Sequence, residues 1–171
     1  MRERARATEL VADFFTQSYR VSGRVDARLR KLADQLEDRT TSFLHLEDAY
    51  ISSLEHPGDI IASHALPILR KERMVAVLVA REEDGLSSLH SYGSYRGGHL
   101  QKAVLIIPSL EVQGYLRLSG KRDLRSVVTA GNQFVPMLDA RMTLSTRPDI
   151  EFTGGLVLVN RAHVEAMWET E

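Results

Sequence analysis

Asp48 and Asp139 each follow a phenylalanine by five residues, precede an alanine and stand nine residues before a proline, and the two settings lie 91 residues apart. Two matched carboxylates could do acid–base chemistry only if they shared one pocket with their protonation set apart. A short carboxylate at a strand end also has a structural role, accepting backbone N–H bonds from the turn that follows. That second role is the one expected here, because no third acid or base is placed to complete a reacting group.

The other chemistry-bearing residues are scattered. His45, His56, His64, His90, His99 and His163 include no pair four residues apart that would set two imidazoles on one helical face, and the chain has no cysteine. Without thiolates a zinc site would need distant imidazoles or carboxylates, so no metal or cofactor is expected. Gly-x-Ser-x-Gly, the phosphate-binding loop and the dinucleotide fingerprint are all absent, which leaves nucleophilic and nucleotide chemistry without a residue. The chain is expected not to be an enzyme.

A third group has the chemistry of base stacking and phosphate pairing. Tyr92, Tyr95 and Arg96 lie in "HSYGSYRGGH", and Lys121, Arg122 and Arg125 cluster further on. Rings beside cations suit single-stranded RNA or DNA. Against this, 22 basic and 23 acidic residues leave a formal charge of −1, so no overall field favours an anionic partner. Nucleic acid is therefore the alternative expectation, and protein contact, a homodimer among its forms, the leading one. The opening "MRERARATELVADFF" holds no apolar run fit for a signal peptide, and no segment approaches the roughly 18 apolar residues of a membrane span. A cytoplasmic protein without a membrane anchor is expected.

These residues need elements to position them. The 91-residue offset extends to Ala12 and Ala103, Ser18 and Ser109, Val21 and Val112, and Gly23 and Gly114, then to Phe43 and Phe134, and to Pro57 and Pro148. "YRVSGRV" and "LEVQGYLRL" alternate as half-buried strands with a glycine marking a bend. "VDARLRKLADQLED" and the shorter "KRDLRSVV" read as helices, and the Phe-to-Pro stretches as strands that end at a proline turn. "LPILRKERMVAVLV" and "LVLVNRAHVEAMW" each read as a strand, a tight turn and a last strand, with Arg70 at the place of Arg161. Phe43 and Phe134 are both predicted to be buried, and residues up to about Ala12 are predicted to be helical before a strand begins.

The fold class expected is mainly β with short helices (α+β), in two tandem pseudo-repeats over residues 1–80 and 102–171. Each would be a small bent sheet or SH3-like barrel with one short helix. Residues 81–101, rich in Gly, Ser and Tyr, read as a linker or exposed loop. A cleft between the repeats using Asp48 and Asp139 is a third, weaker expectation.

The order of Gly-containing strand, short helix, Phe-x-x-x-x-Asp-Ala strand and "VLVNRAHVEAMW" ending resembles a bacterial family of small uncharacterised proteins with no assigned activity. The resemblance spans most of residues 103–168 and, more loosely, 12–79. The pattern is similar, more distantly, to small SH3-like or Sm-like barrels, one branch of which implies RNA binding by oligomeric rings. No Sm-type signature is legible here, so that likeness implies shape alone.

Overall fold

The computed structural model describes residues 9–86, 98–120, 122–129 and 131–171. Among them the protein is mainly β. The strands are β1 (Glu9–Phe15), β2 (Tyr19–Asp26), β3 (Phe43–His45), β4 (Glu47–Ser53), β5 (Ile60–His64), β6 (Ile68–Arg70), β7 (Ala76–Val79), β8 (Gly98–Ile107), β9 (Leu110–Ser119), β10 (Phe134–Leu144), β11 (Glu151–Asn160) and β12 (Ala166–Glu169). Short helices α1 (Leu32–Glu37), α2 (Glu82–Gly85) and α3 (Leu124–Thr129) join them, with 3₁₀ turns at Lys71–Arg73 and Arg161–His163. None of the helices is long and apolar enough to cross a membrane.

Ten strands form one sheet in the order β12-β8-β9-β10-β11-β7-β1-β2-β4-β5, and β3 pairs with β6 beside it. No sheet is closed. The middle of the large sheet is the antiparallel contact of β7 with β11, in which Ala76 faces Val159 and Val79 faces Leu156. Alternation of side chains divides these two strands between two cores. Ala76, Leu78, Val157 and Val159 enter the core that contains β8, β9 and most of β10. Val77, Val79, Leu156 and Leu158 enter the core that contains α1, β1 and β2. Each such valine or leucine side chain gains about 1.5–3 kcal/mol on leaving water.

The glycines of β2 and β9 face a matching kink. Pairing of β2 with β4 shifts register between Ser22 and Arg24, and pairing of β9 with β10 shifts between Leu138 and Arg141. At these bulges Asp48 and Asp139 take left-handed φ values of 47° and 45°, a conformation that Asp tolerates better than most side chains. The kink presses the bulged strand onto the glycine: a Cβ on Gly114 would lie 2.8 Å from the Leu138 carbonyl oxygen, and one on Gly23 would lie 3.1 Å from the Ala49 Cβ. Glycine and Asp-Ala are therefore two halves of one device.

Several expectations are corrected. Residues 9–12 are strand, because Leu10, Ala12 and Phe14 alternate into one core while β2 pairs along the whole of β1. Phe134 is buried at 3% exposure but Phe43 is 42% exposed, since Phe43 lies at the margin of the molecule. Gly98–Gln101, expected in the linker, already belong to β8. Arg70 faces Phe43 as Asn160, not Arg161, faces Phe134. The slip arises in β5, where Ile51 faces Ala62 but Ser52 faces Ile60, an extra residue that changes the offset from 91 to 90.

Candidate interaction surface

Polar groups lock the β7–β11 seam as well as its apolar faces. The Asn160 backbone N–H donates to the Val75 carbonyl at 3.0 Å. The buried Asn160 side chain donates to the Met74 carbonyl at 2.9 Å and accepts from the Ala162 N–H at 3.1 Å. The Glu37 carboxylate, at the end of α1, accepts from the N–H groups of Gln133 and Phe134 at 2.9 and 2.7 Å, tying α1 to the start of β10. Across the same line the His163 Nε2–H donates to the Glu72 carbonyl at 2.7 Å. Phe15 and Phe152 meet edge to face at 4.9 Å, and the Arg20 guanidinium lies 5.3 Å from the Phe152 ring centre.

Among the described residues the outer edges lack such cover. At one, Leu66 is 76% and Ile68 56% exposed, with Ile60 and Ile61 beside them; at the other, Trp168 of β12 is 44% exposed. The hydrogen bonds already made set which backbone groups point outward. The N–H groups of Leu46 and Asp48 donate to the carbonyls of Pro67 and Ala65, so the alternate residues Leu66 and Ile68 present theirs to the open side. Pro67 thus lacks an N–H only on the side facing inward. On β12 the Thr170 N–H donates to the Lys102 carbonyl, which leaves Met167 and Glu169 turned outward. Apolar side chains beside unpaired backbone groups make a template for a further strand.

The sequence-singled residues do not assemble into one site. Asp48 and Asp139 are separated by four intervening strands, roughly 24 Å along the sheet, so the shared carboxylate cleft is ruled out. Neither carboxylate accepts from a following turn. Asp48 instead receives the Arg24 guanidinium, and Asp139 is exposed. Pro57 and Pro148 lie in the turns after β4 and β10. Arg122 and Arg125 are exposed near the start of α3, and Arg122 borders an apolar cleft of about 380 Å³ beside Leu116, Val127 and Phe134. Tyr92, Tyr95, Arg96 and Lys121 lie outside the described residues. Among those described, no group of three or more His, Asp or Glu is placed to hold a metal ion.

A second cleft, of about 810 Å³, opens between the two 3₁₀ turns and is lined by Arg39, Arg70, Arg73, Arg161 and His163, with the carboxylates of Asp38 and Glu72 among them. Lys71 forms part of its wall but is committed elsewhere: its ammonium donates to the carbonyls of Gln35 and Asp38 and to the Thr41 hydroxyl at 2.6, 3.1 and 2.7 Å. Burial pushes the Lys71 pKa down, opposed by nearby Asp38. The Asp38 carboxyl is held well below its ordinary value by the Thr40 hydroxyl, the Arg30 guanidinium and the Thr40 N–H. Arg28 likewise lowers Asp26 to about 2.

The edge residues carry no signal in the sequence, and of the cleft arginines only Arg70 and Arg161 stand out, as matched positions and not as a site. A leucine or isoleucine in an alternating strand reads as core, and arginines brought together from separate turns share no spacing. No family model, curated protein or solved structure matches the chain.

Proposed function

We propose that the chain is a non-enzymatic, cytoplasmic interaction module of two tandem β-rich units, and that it acts by strand addition at its open sheet edges. The tandem is supported by hydrogen bonds that recur at the same offsets. Lys71 N–H donates to Ser42 as Arg161 N–H does to Gln133, Met74 to Lys71 as Val164 to Arg161, and Val75 to Phe15 as Glu165 to Ile106. The recurring Gly and Asp-Ala bulges support it independently.

The observation that carries the interaction reading is the exposure of Leu66, Ile68 and Trp168 beside outward backbone groups. Unpaired apolar edges are a hazard unless something covers them. Tagged chain would be used to retain proteins from its native cell extract, beside variants blocked at either edge. The reading expects a defined protein, another copy of the chain included, whose retention is lost on Leu66→Lys/Ile68→Lys or on Trp168→Lys. Identical retention by all three would remove it.

A second reading, single-stranded nucleic acid binding, is favoured by the basic cleft between the 3₁₀ turns. Arg39, Arg70, Arg73 and Arg161 offer phosphate partners. Labelled RNA and DNA oligonucleotides followed by fluorescence anisotropy would then show affinity that falls with salt and drops on Arg39→Ala/Arg73→Ala. No binding at low salt would end this reading.

A further inference from the structure

The two outer edges of the sheet correspond to the two strands of its central seam. Taken as two units, the strand order reads β12-β8-β9-β10-β11 followed by β7-β1-β2-β4-β5. β12 holds in the second unit the place of β7 in the first: Ala76 faces Phe15 as Ala166 faces Ile106. The edge formed by β5 and β6 holds the place of β11, since Leu44 faces Leu69 as Val135 faces Val159. One end of the sheet is therefore a copy of what the other end accepts.

From this we infer that the chain assembles head to tail with further copies of itself, the β5–β6 edge of one copy pairing with β12 of the next as β11 pairs with β7 inside the chain. The inference rests on the tandem reading and names the partner that the edges take. The seam supplies the register. Leu158 faces Val77 and Leu156 faces Val79, so Ile68 faces Met167 and Leu66 faces Glu169 of the neighbouring copy. The backbone groups of these four residues already point outward, as they must for a ladder.

The side chains left exposed are those that the contact would cover. At the seam Phe134, Leu156 and Leu158 are buried in one core with Leu36, Met74 and Val77. Their counterparts on one edge, Phe43, Leu66 and Ile68, are exposed. The counterparts of the receiving residues, Val127, Val164 and Met167, are only partly buried against the second core. Both halves of the contact are thus present, uncovered, at opposite ends of one molecule. One difference lies in the pair Leu138 and Glu47: the first is buried at the seam and the second is exposed at the edge, so Glu47 stays at the rim. A head-to-tail contact closes into a ring or extends into a filament, according to the rotation between copies.

The test uses two singly blocked full-length chains, Leu66→Lys/Ile68→Lys and Trp168→Lys/Glu169→Pro, sized by light scattering and native mass spectrometry at tens of micromolar. Circular dichroism and thermal melting check that each is folded. The unaltered chain is expected as assemblies of two or more copies and each blocked chain as a monomer. An equimolar mixture of the two should give a species near twice the 19.2 kDa chain mass and no larger. A monomeric unaltered chain overturns the inference, as does a blocked chain that still dimerises, which would mean like-with-like pairing, or a mixture that stays monomeric. If the blocked variants prove unfolded, Ile68→Cys/Met167→Cys in this cysteine-free chain decides instead. Oxidation should link the double variant into multimers and leave each single variant unlinked, and the reverse overturns the proposal. Monomeric chain that nevertheless retains a foreign protein through an edge would sink self-assembly and leave the interaction module standing.

Discussion

Leu156 and Leu158 at the seam are buried, while Leu66 and Ile68 at the edge are exposed, although all four are aliphatic residues in alternating strand. What separates the two regions is a neighbour. At the seam β7 lies alongside, supplies the backbone ladder and closes a core over the side chains. At the edge the same local pattern meets solvent. The seam consequently contributes to the folding stability of the chain, whereas the edge would contribute stability only in the proposed assembly. Substitutions at matched positions should separate these two roles.

The largest contrast is expected at the two phenylalanines. Phe134→Ala empties a buried ring site and should cost about 3–5 kcal/mol in urea unfolding. Phe43→Ala, measured at concentrations too low for association, should cost less than about 1 kcal/mol, because its ring gives up mainly the stacking of Arg70, whose guanidinium lies 4.8 Å away. Equal losses would mean that Phe43 is as well packed as Phe134, which would break the comparison.

Asn160 and Arg70 come next. Asn160→Ala strips the Met74 carbonyl of its buried donor and should cost about 1–3 kcal/mol. Arg70→Ala at the edge should stay within about 0.5 kcal/mol in the monomer. Thermal melts of both variants decide this, and a seam held by packing alone would show no gap between them.

The bulge glycines sharpen the comparison in a different way, since both are covered. Gly114→Ala drives a methyl against the Leu138 backbone carbonyl, whereas Gly23→Ala meets the side chains of Ala49 and Leu46. The first should cost about 1–3 kcal/mol and the second less, because side chains yield more readily than a bulged backbone. Chemical denaturation ranking Gly23→Ala as the worse variant would refute this account of the bulge.

The smallest effect concerns pH. Asp38 closes the corner after α1 and has its carboxyl held below the ordinary value of 3.8. Its stabilising contribution is present above that ordinary value and is lost as pH falls through the lower folded value. The corresponding position, at the end of α3, is Thr129, whose hydroxyl donates to the Arg125 carbonyl and does not titrate. Acid melting curves should therefore be shallower for Asp38→Asn than for the unaltered chain, and superimposable curves would place the acid sensitivity elsewhere.

Much of the local structure was legible in the residues. Alternation in "YRVSGRV" and "LEVQGYLRL" marked β2 and β9, and the glycine in each marked a departure from regular pairing. The Asp that follows a phenylalanine by five residues was legible as a recurring position, but its role was not. It takes the left-handed conformation of the bulge, a fact visible only once the facing glycine is in place. The spacing of Leu10, Val11, Phe14 and Phe15, which is that of one helical face, misled, because in β1 Leu10 and Phe14 share a core with Ala12 while Val11 is exposed and Phe15 enters the other core. The register from β5 onward was hidden by one extra residue at a bulge. The basic cleft was invisible because its arginines come from separate turns.

By itself, then, the sequence determined the mainly β character, the short helices and the positions where strands must kink, since each follows from the steric limits of a residue and its near neighbours. Only the tertiary structure decided that β11 lies against β7 while β12 and the β5–β6 edge stay open. Whether a strand is central or outermost depends on what the remote chain places beside it. Leu158 and Ile68 differ in that respect and in little that their own surroundings in sequence could encode.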